Sequence, residues 1–293
     1  MSIVSKGDKV FIASLLFPIL FFLFFIEFIP IIYALLYSFT QSSIFNPTLN
    51  FIGLNNYINI INSTFFWQDV INTLEYGSIT AIIQTLLGLG LALLFKDKKG
   101  VLATLAKALI FIPYALPYVS VSLVWKFLLD PQYGFVNKIM LSLRLIKEPI
   151  DFFGNPANAL WSVILVTIWQ FYPFAMIILY AALETVPKDR VEAAQVDGAT
   201  SIQIFKHITW PYIRKIFFIT LFLRFLFNTG KFDHVWLLTG GGPLRSTETL
   251  PVAAWVTSFQ QYNYGAATSI AILNLLLLVP FLLIFLFSVY KER

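Results

Sequence analysis

Long apolar runs separated by short polar stretches dominate the chain. Six of these runs are each at least as long as the ~20 residues that an α-helix needs to cross the hydrocarbon core of a membrane. The pattern therefore predicts about six transmembrane helices, and Pro18 and Pro30 predict a kink or tilt in the first one. The predicted spans are residues 10–39, 70–95, 104–129, 158–182, 213–238 and 266–290.

The composition of the chain excludes a soluble protein. Hydrophobic residues make up 58% of the 293 positions, charged residues make up 12%, and the mean hydropathy is +0.79. A soluble domain of this length cannot bury so much apolar surface. We therefore expect an all-α integral membrane protein in which residues 1–293 form a single transmembrane domain. The absence of cysteine excludes disulfides and thiolate metal sites, and we expect no metal site of another kind.

Positive charge is distributed unequally between the two sets of connecting segments. The positive-inside rule assigns the segments that are rich in Lys and Arg to the cytoplasm. It therefore predicts that both termini and the polar segment 187–211 are cytoplasmic. The cytoplasmic set comprises Lys6, Lys9, Lys96, Lys98, Lys99, Lys188, Arg190, Lys206, Arg214, Lys215, Lys291 and Arg293, against Lys138, Arg144, Lys147 and Arg245 in the opposite set.

The segment 187–211 is the most polar long stretch between two apolar runs. Pro187 suits the first turn of a helix, because its missing N–H would have no partner there. Gly198 can end that helix, since glycine readily adopts the left-handed conformation. The pattern predicts a helix–turn–helix at the membrane surface, and an ordinary loop with an interfacial helix is the alternative.

A second short helix fits residues 201–207 within this segment. Thr200 or Ser201 would be its N-cap, because a side-chain oxygen there can accept from a free backbone N–H. We expect Pro211 to break this helix and to begin the next span, since proline cannot donate to the helical ladder.

Three ionisable residues lie inside predicted spans, where charge is costly and normally faces a protein interior or a wet cavity. Glu27 lies in the middle of the first span, so we expect it to be buried, paired or cavity-lining. Glu75 and Lys126 lie nearer to span ends, and we favour an interpretation in which both extend to the membrane interface.

The fifth span carries Arg224, Asn228 and Lys231 at spacings of four and three, and therefore on one helical face. Gly230 favours a helix break beside them. Polar side chains next to unwound backbone are a common way in which transporters build a midplane site. We interpret Arg224 and Asn228 as site residues, and Asp233 as the outer end of the span.

The first outer loop, residues 41–68, contains no charged residue but is rich in aromatic side chains. For Phe66 and Trp67 we favour an aromatic belt at the membrane interface. A gate and docking surface for an extracellular partner is the alternative.

The sequence EAAQVDGA at residues 192–199, with Ile208 and Pro211 at matching spacing, resembles the EAA loop of ABC importer permeases. Trp210 departs from that pattern, in which Leu is usual, but it exchanges one apolar side chain for another. The resemblance implies a coupling element that sits in a cleft of a separate ATPase subunit. The coupling residues implied are Glu192, Ala193, Ala194, Asp197, Gly198, Ala199, Ile202 and Phe205.

Three further segments resemble the carbohydrate-uptake members of the same family. They are FIGLNNY at residues 51–57, PYALP at 113–117, and an FN…FD…LTGGGP signature that ends at Pro243. The last is similar to the MalF/UgpA-like half of a carbohydrate importer. The resemblance implies a type I ABC importer permease fold, alternating access, and residence in the cell membrane of a prokaryote.

The resemblance also implies partners. They are an ABC ATPase dimer, a second, MalG-like permease subunit, an extracellular solute-binding protein and membrane lipid; no nucleic-acid partner is expected. The chain has no GxxxxGK[ST] motif, so it lacks a backbone cradle for phosphates. ATP and Mg²⁺ would therefore be bound by the ATPase, and this chain would be a transporter subunit with no cofactor and no enzymatic activity.

In the maltose-type relative, sugar contacts fall in the third, fourth and fifth spans. Aromatic faces together with amide and charged donors suit a sugar, although helix packing is the alternative for the aromatic positions. Arg224 and Lys231 would favour an anionic solute such as glycerol phosphate, unless each pairs with a carboxylate and leaves a neutral sugar site. The implied substrate contacts are Tyr114, Tyr118, Thr167, Gln170, Phe171, Phe174, Arg224, Asn228 and Lys231.

Two other classes of membrane protein fit the sequence poorly. A secondary transporter would show inverted repeats and a buried acid–base relay, and neither is evident. An intramembrane serine protease would need a serine beside a histidine base. His207, in the predicted cytoplasmic loop, and His234, at a predicted outer helix end, are the only histidines of the sequence, and no GxSxG occurs.

Overall fold

A computed structural model describes residues 6–291, except for the side chains of residues 6–10, 13, 46–48 and 288–291. Several terminal charges used to predict orientation, among them Lys6 and Arg293, therefore lie outside the described residues or side chains. The chain is helical along most of its length. The α-helices are α1 (Lys6–Leu23), α2 (Ile29–Ser38), α3 (Asn55–Ile61), α4 (Thr64–Phe95), α5 (Val101–Ala115), α6 (Tyr118–Leu128), α7 (Phe135–Ser142), α8 (Pro156–Glu184), α9 (Lys188–Val196), α10 (Ser201–Ile204), α11 (Trp210–Thr229), α12 (Asp233–Thr239), α13 (Leu250–Trp255) and α14 (Tyr264–Lys291).

Four helices in the described part of the chain are long and apolar enough to cross a membrane, and α5 with α6 adds a fifth if that bent pair is one span. The predicted span at 213–238 is divided, because α11 ends at Thr229 and α12 begins at Asp233. Helix α11 has 20 residues and carries three cations. The four continuous spans are Ser14–Ser38, Thr64–Phe95, Pro156–Glu184 and Tyr264–Phe287.

The predicted span at 104–129 is broken in the structure. Helices α5 and α6 meet at an angle of 96°. Leu116 has an extended backbone with ψ 142°, as expected for a residue before proline, and Pro117 follows with ψ 139°. The break therefore exposes backbone carbonyls in the middle of an apolar run.

One compact unit is formed by the described parts of Met1–Thr64 and Ala253–Leu276. Its first helix is continuous through Pro18, a five-residue π-helical turn at Phe24–Phe28, and Pro30. A small antiparallel hairpin, β1 (Thr40–Ser43) and β2 (Asn46–Phe51), follows. The apolar pattern predicted no strands, so this hairpin was missed.

The FIGLNNY segment anchors the end of that first helix. The Asn56 amide donates to the carbonyls of Ser38 and Thr40, at 2.9 Å each. The Tyr57 hydroxyl donates to Ser38 Oγ at 2.7 Å. Gly53 lies between hairpin and α3 with φ +61°, a conformation that favours glycine. This motif is therefore structural in the described chain.

The second unit comprises Phe65–Val252 and the described part of Leu277–Arg293. Helices α4, α8 and α11 pack together in it around a buried apolar cluster. That cluster contains Leu89, Ala92, Met176, Leu179, Ala182, Leu183, Val186, Ile213 and Phe217.

The loop formed by LTGGGP and the residues after it is held against the start of α4 by polar contacts. Arg245 forms ion pairs with Asp69 (2.7 Å) and Glu248 (3.0 Å). The Asn72 amide donates to the carbonyls of Arg245 and Glu248, at 3.2 and 2.9 Å. Gly240, with φ +62°, permits the turn that begins this loop.

Candidate coupling surface and solute site

Helix α9 ends in the turn that the sequence predicts at Gly198. Gly198 has φ +77°, its N–H donates to the Gln195 carbonyl at 3.1 Å, and the Ala199 N–H donates to the Ala194 carbonyl at 2.9 Å. This pair of bonds is a Schellman motif, which satisfies carbonyls at the helix end. Pro187 is the N-cap of α9 and lies just before the first turn rather than in it.

Helix α10 begins with a capping box. Thr200 Oγ1 accepts from the Gln203 N–H, and the Thr200 N–H donates to Gln203 Oε1 at 2.7 Å. These reciprocal bonds satisfy donors that the first turn leaves free. Thr200, one of the two predicted N-caps, therefore has that role.

The prediction that Pro211 separates α10 from the next span was wrong. A five-residue π-helical turn at Phe205–Thr209 joins α10 to α11, and the Trp210 N–H bonds to the Phe205 carbonyl. The wider turn precedes the proline, whose missing N–H would interrupt an α-helical ladder. A single helical rod therefore runs from Ser201 to Thr229.

The surface around this turn presents apolar and acidic groups to solvent. Ile202 is 79% exposed and Val196 is 87% exposed. Glu192 and Asp197 are also exposed, whereas Phe205 is half-buried with its ring centroid 6.1 Å from that of Trp210. Val196 was missed as a candidate, although its place within the EAA-like segment was a signal. We call the exposed face of α9 and α10 the coupling surface.

Four aromatic residues of the predicted solute site come together at the break between α5 and α6. The Tyr114 ring centroid lies 5.8 Å from that of Phe171 and 6.1 Å from that of Phe174. The Tyr118 ring centroid is 5.8 Å from that of Phe171. Tyr118 is exposed, Tyr114 and Phe174 are half-buried, and Phe171 is buried.

Two cations face these rings. Lys231 lies beyond the end of α11 rather than on its face, because the helix stops at Thr229, at the break predicted beside Gly230. Its Nζ is nevertheless 3.4 Å from the Phe171 ring centroid and 4.9 Å from that of Tyr118. Arg224 Cζ is 5.2 Å from the Phe171 centroid and 5.3 Å from that of Phe174. The site thus joins aromatic faces to positive charge.

Arg224 and Asn228 belong to a fully buried polar network. Arg224 Nε and Asn228 Nδ2 both donate to Gln84 Oε1, at 2.8 and 3.0 Å. Arg224 Nη2 donates to Asn228 Oδ1 at 3.0 Å, and Gln84 Nε2 donates to the Thr167 carbonyl at 2.9 Å. Arg224 is therefore held by amides, and no carboxylate pairs with it among the described residues. Gln84 was missed, although a lone amide inside an apolar run was a signal.

A second buried chain leads to the helix break. Gln170 Nε2 donates to the Leu116 carbonyl at 2.8 Å, and His234 Nε2 donates to Gln170 Oε1 at 2.6 Å. Thr167 Oγ1 lies 3.0 Å from the Tyr76 hydroxyl oxygen. His234 is 0% exposed and lies in the first turn of α12. Gln170 thus satisfies a carbonyl that the broken helix leaves free.

The structure brings all nine predicted substrate residues into one region, but in two layers. Thr167, Gln170 and Asn228 are each 0% exposed and are paired within the protein. Tyr114, Tyr118, Phe174 and Lys231 are more accessible.

A separate apolar cavity of about 500 Å³ lies between α4, α11 and α14. Phe218, Phe222 and Phe281 are among its lining residues, and Lys215 contributes its one charged side chain. It includes none of the predicted substrate residues. Its lining suits apolar groups better than sugar hydroxyls.

The expectation that Glu27 is buried, paired or cavity-lining was wrong for this chain. Glu27 is exposed in the π-helical turn. No residue in the most apolar part of its span is buried. Glu75 is half-buried and Lys126 is exposed.

A helical membrane chain with a surface helix–turn–helix and polar side chains at a broken span has the architecture expected of a transport permease. Residues 84–290 match the model of the binding-protein-dependent transport system inner membrane component family, and the chain belongs to that family. It is therefore a permease subunit of an ABC importer, not an enzyme, and an inner-membrane protein that works with a binding protein and an ATPase.

The chain is similar to named relatives over most of its length. It is 30% identical to the trehalose/maltose transport system permease protein MalF of Thermococcus litoralis, over 88% of this chain and 86% of that protein. It is 27% identical to the diacetylchitobiose uptake system permease protein DasB of Streptomyces coelicolor, over 82% and 74% of the two chains.

Solved structures confirm the type I importer permease fold. A chain of a bacterial ABC transporter that imports the acidic polysaccharide alginate superposes with a TM-score of 0.81 at 25% identity, over 98% of this chain and 96% of that chain. A MetNI methionine ABC transporter chain superposes with a TM-score of 0.56 at 15% identity, over 78% of this chain and 95% of that chain. This second similarity supports the fold alone.

Proposed function

We propose that this chain carries a sugar or sugar-like solute through the membrane, and that the solute contacts the layer of Tyr114, Tyr118, Phe174 and Lys231. The observation that carries this proposal is the cluster of aromatic rings and hydrogen-bond donors at the α5–α6 break. Apolar sugar faces stack on such rings, while polar groups set the orientation. Relatives named for trehalose, maltose and diacetylchitobiose support the same solute class.

The proposed assembly contains four kinds of component. This chain pairs with a second, MalG-like permease subunit, an ABC ATPase dimer binds both from the cytoplasm, and an extracellular solute-binding protein delivers the solute. Both termini of this chain are cytoplasmic. ATP and Mg²⁺ are bound by the ATPase, and this chain needs no cofactor of its own.

The coupling surface transmits ATPase closure to the solute site in this proposal. Glu192 makes charged contacts with the ATPase cleft, Gly198 allows the turn, and Ile202 enters apolar cleft surface. The rod from Ser201 to Thr229 supports a direct mechanical link. At 1.5 Å per residue, Ile202 and Arg224 are roughly 33 Å apart along it.

Phe205 supplies a second connection between the coupling surface and the bundle. Its ring contacts Trp210, whose ring centroid is 5.2 Å from that of Phe217 in the buried cluster. Packed side chains resist compression, so a displacement of α10 would move α11 and its neighbours together. Closure would thereby disturb the Gln84–Arg224–Asn228 network and change access to the site.

Co-purification tests the assembly. The chain is extracted in mild detergent from the cells that produce it, and the bound chains are identified by mass. We expect an ATPase, a second multi-span subunit and a solute binder; a lone chain or homodimer would contradict the proposal.

Two variants then test the roles of residues in reconstituted vesicles. Glu192→Gln should lower transport and binder-stimulated ATP hydrolysis together, whereas Glu184→Gln, at the exposed end of α8, is the control. Tyr118→Ala should lower uptake of the sugar carried by the binder while leaving basal ATP hydrolysis intact. Unchanged uptake in Tyr118→Ala would remove this residue from the site.

A further inference from the structure

The apolar cavity between α4, α11 and α14 extends along about half of the membrane thickness. On α11 its lining runs from Lys215 to Phe225, which is about 15 Å along the helix. The hydrocarbon core of a bilayer is about 30 Å thick, so one leaflet contributes about 15 Å. Ser78, near the middle of the long helix α4, also lines the cavity. The cavity therefore has the length of one leaflet.

Lys215 lies at the end of the cavity that is nearer to the membrane surface. Trp210 and Tyr212 lie within two turns before it on α11, and such aromatic residues are typical of a membrane interface. Lys215 is exposed, and no group in the described part of the chain pairs with its Nζ. The described lining contains no acidic residue. A positive charge at this end is therefore available to a ligand.

The rest of the lining is apolar and largely aromatic. The rings of Phe222 and Phe285 are stacked with centroids 4.1 Å apart, and the centroids of Phe225 and Phe281 are 4.9 Å apart. Ser78 contributes the one hydroxyl of the described lining. These walls offer almost no hydrogen bonds to a polar solute, and an acyl chain needs none.

The volume of the cavity distinguishes an acyl chain from a protein helix. It is about 500 Å³. An α-helix is about 10–12 Å across with its side chains, so a 15 Å length of helix occupies more than about 1,000 Å³. A helix of another subunit is therefore too wide to enter the cavity, whereas a narrower hydrocarbon chain is not.

We propose that this cavity binds a phospholipid with an anionic headgroup from the cytoplasmic leaflet. One acyl chain occupies the space between Phe218 and Phe225, and the headgroup phosphate accepts from Lys215 Nζ. A zwitterionic headgroup carries its own cation, which competes with the lysine for the phosphate, so an anionic headgroup is favoured. Basic pockets between transmembrane helices on the cytoplasmic side bind such headgroups. The inference goes beyond the proposed function and takes from it only the orientation that selects the leaflet.

Photolabelling of the purified importer in detergent tests this site. The probe is phosphatidylglycerol with a diazirine at the end of one acyl chain, and a phosphatidylcholine probe with the same chain is used in parallel. The labelled peptides are mapped by mass. We expect the phosphatidylglycerol probe to label the deep end of the cavity, in peptides that contain Ser78 and Phe225, more strongly than the phosphatidylcholine probe.

Two variants separate the headgroup contact from the chain contact. Lys215→Gln keeps a long side chain without the charge, and should lower subsaturating phosphatidylglycerol labelling about fivefold and remove the difference between the probes. Lys98→Gln, at an exposed position outside the cavity, is its control. Ser78→Phe fills the deep end and should lower labelling by both probes. Ile83→Phe, on the same helix but outside the lining, is the control for added bulk.

The inference is overturned if both probes label wild type equally, or if Lys215→Gln labels as wild type does. A benzophenone amino acid at Phe218 that crosslinks to a second permease rather than to lipid would also overturn it, because the occupant would then be protein. Transport is not part of the readout, so failure of this inference leaves the proposed function standing. Failure of an ATPase and a second permease to co-purify would refute the proposed function without deciding the labelling result.

Discussion

Replacement of Gln84 by leucine removes the centre of the buried network at the solute site. Its Oε1 accepts from Arg224 Nε and Asn228 Nδ2, and its Nε2 donates to the Thr167 carbonyl. Gln84 is 0% exposed, and Arg224 is 3% exposed. Leucine has a similar volume, so the change removes hydrogen bonds without opening a large cavity.

The expected cost follows from the group that is left behind. Arg224 would lose the acceptor of its Nε–H, and a buried charge without a partner costs about 3–5 kcal/mol. The bond from Arg224 to Asn228 remains, at 3.0 Å, so we expect the lower end of that range. The further replacement Arg224→Met removes the charge itself. The double variant should therefore lose less unfolding free energy than the two single variants lose together, and the difference should be about 2 kcal/mol.

Unfolding of purified protein in mixed detergent micelles, followed by tryptophan fluorescence, measures these differences. The chain contains 7 Trp, of which none is among the residues changed. Gln132→Leu, in an exposed turn after Asp130, is the control for loss of an amide. The reasoning is refuted if the unfolding free energy of Gln84→Leu is within about 0.5 kcal/mol of the wild-type value. It is also refuted if the loss in the double variant equals the sum of the losses in the two single variants.

Three further changes test the coupling surface and the outer loop. Gly198→Val forces a branched residue into φ +77° and should reduce binder-stimulated ATP hydrolysis, while Gly90→Ala, in open helix surface, should not. Thr200→Ala removes the capping box, at a cost of about 0.5–2 kcal/mol, and hydrogen exchange in α10 should quicken; unchanged exchange would contradict the cap. Burial raises the pKa of the Glu248 carboxyl, against the effect of nearby Arg245, so the folded chain holds this proton more tightly than the unfolded chain. The contribution of this carboxyl to the free energy of unfolding therefore falls as pH rises above 4.5, its ordinary pKa. Glu248→Gln should reduce this pH dependence of the unfolding free energy, and an unchanged dependence would contradict the role of Glu248.

Hydropathy predicted the long spans because it reports apolar content, but it does not report backbone direction. Residues on both sides of Pro117 are apolar, so the 96° bend between α5 and α6 left no mark in the pattern. Pro117 itself was the available signal, because a residue before proline favours the extended backbone that Leu116 has. Pro211 led to the opposite error, the prediction of a break where the helix is continuous, because a π-helical turn accommodates the proline.

The buried network could not be predicted from the sequence because its members are far apart in the chain. Gln84 and Arg224 are separated by 140 residues, and His234 and Gln170 by 64. Local periodicity places Arg224 and Asn228 on one face, but it does not identify their partners. The local caps at Gly198 and Thr200 were predictable, since their bonds join residues only a few positions apart.

Disulfide or bifunctional crosslinking from a single introduced cysteine tests the central claim, that the coupling surface meets the ATPase. The sequence has no cysteine, so Ile202→Cys and Phe51→Cys each introduce a single crosslinking position. Ile202 is 79% exposed and Phe51 is 77% exposed. In the intact importer, Ile202→Cys should crosslink to an ATPase subunit. Phe51→Cys, which the proposed orientation assigns to the outer side of the membrane, should not. An importer that contains the ATPase but crosslinks to it only from Phe51→Cys would contradict the coupling role and the proposed orientation together.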